Sequence, residues 1–100
     1  MKNKILDWAE QKGILANATK EAQMLKTVEE VGELANALGK NDIDEIEDAI
    51  GDIAVTIIIQ AELNGLDFDK CVESAYNVIE KRNGKMINGL FVKDKEVSNG

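Results

Sequence analysis

Histidine and proline are absent from the 100 residues, and cysteine occurs once, at Cys71. Without His the chain has no imidazole for acid–base work and lacks a usual ligand of catalytic zinc. A single Cys permits neither an intramolecular disulfide nor a CxxC-type metal site. The lack of Pro favours long unbroken helices, because Pro removes a backbone donor and clashes with the preceding turn. Aromatics number only four, so a core must be packed by Ile, Leu, Val and Ala. Acidic residues outnumber basic ones, 19 to 12, for a formal net charge of −7. A general nucleic-acid binder needs the opposite sign over its footprint. Long apolar runs are missing too: Ile53 to Ile59, with Thr56 inside it, is far too short to span a bilayer. The opening MKNKILDWAEQKG has no apolar region of the signal-peptide kind. Neither a membrane nor a nucleic-acid partner is expected, and the cytoplasm is the expected location. Chemistry is left to carboxylates, Lys, Arg, hydroxyls, or a hard cation bound by oxygen.

What is present reads as helices. One helix is predicted from about Lys2 to Lys12, with Ile5, Trp8 and Ala9 inward and Gly13 as its stop. Asn17 or Thr19 caps a long second helix ending near Gly39, whose inward stripe is Met24, Val28, Val31, Ala35 and Leu38, flanked by Leu34. Asp42 or Asp44 caps a third, which runs to about Asn64 and stops at Gly65. Asp67 or Asp69 caps a fourth, to about Arg82, with Val72, Ala75, Tyr76 and Ile79 inward. MINGLFV then places Asn88-Gly89 between short apolar segments, the signal of a two-residue hairpin turn. The expected fold is all-α: a four-helix bundle over residues 1–93 with a hairpin-like tail, and a frayed end at 94–100. The third helix has apolar residues on every side from Ile53 to Ile59, so its second face is expected to pack on another copy of the chain, as a dimer or tetramer.

That third helix carries Asp48 and Asp52, one turn apart, at the mouth of its apolar segment. An ionised carboxylate there is costly unless a cation or donor meets it. At 100° per residue, Glu45, Asp48 and Asp52 fall within an arc of about 60° that continues through Val55 and Ile59. On the second helix Glu30 and Glu33 lie roughly 60° apart and flank the apolar stripe, with Lys26 on the same side. Antiparallel packing of the two helices brings both acidic rows together. Spacings of three or four residues let side chains of one helix share an ion, and converging carboxylates suit Mg²⁺ or Mn²⁺. The competing reading is a solvated acidic face, common in a chain this rich in Asp and Glu.

EEVGELANAL, then EIEDAIGDIAVTIIIQAELNGLD and AYNVIEKRNGKMINGLFVK, together resemble the MazG-like nucleotide pyrophosphohydrolases, in particular their short single-domain phage and bacterial members. The likeness runs from about Trp8 to Lys93. It implies an all-α fold, Mg²⁺ bound by EExxE and ExxD motifs, and hydrolysis of nucleoside triphosphates between the α and β phosphates. Glu29, Glu30 and Glu33 match the first motif, and Asp52 matches the close of the second. Where the second motif has its Glu, this chain has Ala49; Asp48 is one turn from Asp52, and EIED, Glu45 to Asp48, also reads as ExxD. The ligands implied are Glu30, Glu33, Asp48 and Asp52, with Glu29 or Glu45 to orient or deprotonate water. Polyphosphate charge needs Lys81, Arg82, Lys85 and Lys26; Asn77 offers hydrogen bonds to sugar or base, and Trp8 a stacking surface. Removal of non-standard nucleotides or trimming of pools is the biological role implied. The alternatives are a non-catalytic helical oligomer serving as an interaction or regulatory module, and a simple divalent-cation binder.

Overall fold

The computed structural model describes Met1 to Asp94. Its elements are α1 (Lys2–Gln11), α2 (Ile14–Asn17), α3 (Lys20–Lys40), α4 (Ile43–Leu63), α5 (Phe68–Ile79), β1 (Gly84–Ile87) and β2 (Leu90–Lys93). The protein is thus mainly helical with a small antiparallel sheet. It divides into two compact units, one of Met1–Phe68 and one beginning at Asp69. No single helix among the described residues is long and apolar enough to cross a membrane.

In the first unit the helix signals act where the sequence places them. Thr19 caps α3, its hydroxyl accepting the Ala22 N–H at 3.1 Å. Asp42 caps α4 by accepting the Glu45 N–H at 3.2 Å. Between them Asn41 takes a left-handed conformation, φ 58°, and donates its N–H to the last carbonyls of α3. Only Asn41 and Asp42 separate the two long helices, so α4 folds straight back along α3 and this pairing is the most extensive in the unit. α1 packs on α4, with Ala9 fully buried. An ion pair from Lys2 to Asp67, beyond the end of α4, sets the two antiparallel. The single-turn α2 is an addition to the four helices expected. Gly13 enters it at φ 77°, and Asn17 turns its amide back to the Gly13 carbonyl at 2.7 Å, closing the turn that ends the helix.

The faces of α3 and α4 differ from the expectation. Met24, Val28, Val31 and Leu38, expected inward, are each about half exposed, and Ala35 is exposed. The buried face of α3 is Gln23, Thr27, Glu30 and Ala37. Its partner surface explains this: Thr56 of α4 offers a backbone carbonyl to Gln23 Nε2 at 3.0 Å and a hydroxyl to Thr27 Oγ1 at 3.0 Å, while itself donating to the Ile53 carbonyl at 2.7 Å. Gln23, Thr27 and Thr56 therefore each have a partner, and small side chains let the helices approach. On α4, Thr56, Ile58, Ile59 and Ala61 are buried, Ile53, Val55 and Ile57 are half-buried, and Ala54 is exposed. Within the single chain α1, α2 and α3 leave one flank of α4 uncovered.

In the second unit α5 ends at Ile79, a turn before the expected Arg82, and Val72, Tyr76 and Ile79 of its expected inward face are about half exposed. The hairpin is as the sequence implies. Asn88 and Gly89 both take positive φ, 52° and 82°, the requirement of a type I′ turn, and Ile87 pairs with Leu90. Gly84, opposite Lys93, is fixed by sterics: a Cβ there would stand 2.3 Å from the Val92 carbonyl oxygen. Asp94 continues the ladder through its N–H to the Asn83 carbonyl at 2.8 Å. The rest of the expected frayed end lies outside the described residues.

Candidate metal centre

The tight α3–α4 turn decides which acids meet. Glu30 and Glu33 precede Asn41 by about two to three turns, and Asp52 follows Asp42 by about three, so the three lie at similar heights on antiparallel helices. Their carboxylates do converge: Glu30, Glu33 and Asp52 each present an oxygen within 4.8 Å of the others. Glu30 is buried, 6% exposed, Asp52 is half-buried, and Glu33 is open to solvent.

Within this group Glu30 is half satisfied. Its Oε1 lies 3.5 Å from Lys26 Nζ. Its Oε2, fully buried, has no hydrogen-bond partner. A buried carboxylate oxygen without a donor is costly, and the carboxylates of Glu33 and Asp52 add negative charge beside it. Burial pushes the Asp52 carboxyl above its usual range, reinforced by the negative charges of Asp48 and Glu30; Lys26 opposes this. The donor set is hard oxygen, three carboxylates from two helices, one of them holding an orphaned buried atom. Such a set fits a divalent cation of the Mg²⁺ type, which is bound by a few carboxylates and leaves positions for water or phosphate.

A cavity of about 240 Å³ opens on the group, lined by Glu33, Asn36, Glu45, Asp48, Ala49 and Asp52. Asp48 lines it and bears on Asp52 electrostatically, but its oxygens stay outside the converging three. Glu45 also lines it, held by Lys40 at 3.3 Å. Glu29 is exposed and paired to Lys26 at 3.3 Å, an arrangement that raises the Lys26 pKa, chiefly through that hydrogen bond. Trp8 lines a different cavity, together with Asp52. Asn77 sits on α5, Lys81 and Arg82 follow it, and Lys85 is on β1, all in the second unit. Two residues escaped sequence reasoning. Asn36, one turn after Glu33, lines the acid cavity; Lys4 lines the Trp8 cavity. Spacing from Glu33 was a usable signal for Asn36; nothing local marked Lys4.

A family model described as the MazG nucleotide pyrophosphohydrolase domain matches residues 18–87. The chain belongs to the MazG family. The MazG match spans α3, α4, α5 and β1 and so takes in every acid of the cluster; α1, with Lys4 and Trp8, falls outside it. A protein of Haemophilus phage HP1 (strain HP1c1), described as an uncharacterized 18.2 kDa protein in the rep-hol intergenic region, is 40% identical over 63 residues. Those residues are 63% of this chain and 39% of the phage protein, so the chain spans about two fifths of that relative. No solved structure gives a significant match.

Proposed function

We propose that the protein is a Mg²⁺-dependent hydrolase that cleaves nucleoside triphosphates between the α and β phosphates, releasing a monophosphate and pyrophosphate. Mn²⁺ is the natural substitute. The observation that carries this reading is the buried, partnerless Glu30 Oε2 among three converging carboxylates. Glu30, Glu33 and Asp52 would hold the ion, with Asp48 within the same cavity as a further acid. When bound, the ion offsets carboxylate repulsion and polarises phosphate oxygen. The chain's own residues do the rest. Lys26 keeps Glu29 and Glu30 in place from one side. Glu45, on the cavity wall, accepts a proton from water, and Lys40 fixes its orientation. Glu29 serves as the alternative base. Trp8 receives the base by stacking. A role in clearing non-standard nucleotides or trimming pools follows from this activity.

The functional form is proposed to be a homo-oligomer. Met24, Val28, Val31 and Leu38 form an exposed row without a charge, about 110° around α3 from the face it buries on α4 and on the flank away from Glu33. A second copy covers such a surface with the same surface. A second functional reading, a non-catalytic helical oligomer, draws on Ala49 and on the position of Asp48 outside the cluster. Pyrophosphate release from a nucleotide panel, with and without Mg²⁺, separates the two. Release is expected only with the metal. Release that survives Glu33→Gln combined with Asp52→Asn sinks the metal-site reading.

A further inference from the structure

A second cavity, of about 360 Å³, adjoins the acid cavity at Asp52, the residue common to both, and is otherwise lined by Lys4, Ile5, Trp8 and Val55. It is at the small end of the range for ligand pockets. Ile5 and Val55 make apolar walls, and Trp8, 45% exposed, offers a ring to the opening. Lys4 is the unusual member. It is the cavity's one cation, and it forms no ion pair among the described residues although Asp52 lines the same cavity.

The direction of α1 decides what Lys4 faces. The Lys2–Asp67 ion pair fixes the start of α1 beside the far end of α4. Along α1, Lys4 therefore stands one turn farther than Trp8 from the acidic end, and helical side chains lean toward their own N-terminus, which carries the ammonium farther still. With phosphates on the acids, as in the pyrophosphohydrolase reading on which this rests, the base lies against Trp8 and its outer edge reaches Lys4. An ammonium has three donors and no acceptor. It bonds a ring carbonyl and is mismatched with an exocyclic amino group.

We propose that Lys4 reads the nucleobase and selects nucleotides whose base presents a carbonyl at its outer edge, the 4-oxopyrimidines and 6-oxopurines, over cytosine and adenine. The basis is an unpaired cation at the end of an apolar, Trp-bearing cleft that starts at the metal-site residue Asp52.

Trp8 is the sole tryptophan, so its fluorescence reports the cleft directly and needs neither metal nor turnover. The protein is titrated with uridine and inosine against cytidine and adenosine. The oxo nucleosides should bind about fivefold tighter than their amino counterparts, the worth of a partly solvated charge-assisted hydrogen bond. Lys4→Met should lower uridine and inosine to the level of the other two and leave those unchanged; Lys4→Arg should keep the preference. Lys4 is exposed, so both variants should melt like the wild type. Equal binding of all four nucleosides, indifference of every affinity to Lys4→Met, or silence of Trp8 toward all of them overturns the proposal. A preference without any pyrophosphate release would refute the hydrolase reading alone; release without a preference would refute only the role of Lys4.

Discussion

Thr27 and Glu30 lie one turn apart on the same buried face of α3, and they are treated in opposite ways. The Thr27 hydroxyl has acceptors at 3.0 and 3.2 Å, in Thr56 and in the Gln23 carbonyl. Glu30 has one oxygen near Lys26 and the other buried with no partner. The fold supplies hydrogen bonds to polar groups that only hold helices together, so a group left wanting beside two more carboxylates marks a place built for something outside the chain. The Gln23–Thr27–Thr56 seam fixes the register of α3 on α4. That register, through the two-residue turn at Asn41 and Asp42, sets Glu30 and Glu33 against Asp52.

The largest effect that sharpens this contrast is loss of activity without loss of fold. Asp52→Asn should lower Mg²⁺-dependent pyrophosphate release by at least about 100-fold, as loss of an ion ligand does. The same change should raise the melting temperature of the metal-free protein. Burial first, then Asp48 and Glu30, raise the Asp52 pKa above its usual value of 3.8. An acid whose pKa is higher folded than unfolded costs stability as pH rises through that interval. The metal-free wild type should therefore gain stability on acidification across the window just above 3.8, and Asp52→Asn should flatten that gain. Melting curves against pH check the sign.

Thr27→Val is the mirror experiment. It removes a satisfied hydrogen bond and leaves the Thr56 hydroxyl one donor short, at a cost of about 1–2 kcal/mol. A drop of several degrees in melting temperature is expected, with kcat of the folded protein unchanged. If Thr27→Val instead abolished turnover while Asp52→Asn destabilised the fold, the contrast would be reversed. Smaller still is the effect expected on the exposed flank. Val31→Lys should leave the monomer's melting little altered and shift the sedimentation coefficient toward that of a single chain; an unchanged coefficient would remove this flank as the contact between copies.

The helices, their caps at Thr19 and Asp42, and the Asn88-Gly89 hairpin were legible because each is set by local chemistry: a side-chain oxygen for orphan amides, or positive φ at a turn. The meeting of Glu30, Glu33 and Asp52 was legible because it needs only helical spacing and one short turn. The orientation of α3 was not. Apolar periodicity names the stripe that avoids water, and here Met24, Val28, Val31 and Leu38 find no cover within the described chain, while Gln23 and Thr27 face α4. The clue was Thr56, a hydroxyl inside an apolar run, whose remaining acceptor capacity is used by Thr27 across the helix pair. Lys4 was hidden for another reason: its neighbours in space, Asp52 and Val55, are some fifty residues away, and no local pattern encodes that distance.

Calorimetric titration of the metal-free protein with Mg²⁺ and with Mn²⁺ reaches the central claim most directly. One divalent ion per chain should bind to the wild type, and binding should disappear in Glu30→Gln and in Asp52→Asn, both still folded. Wild-type affinity retained in those two variants would contradict the account.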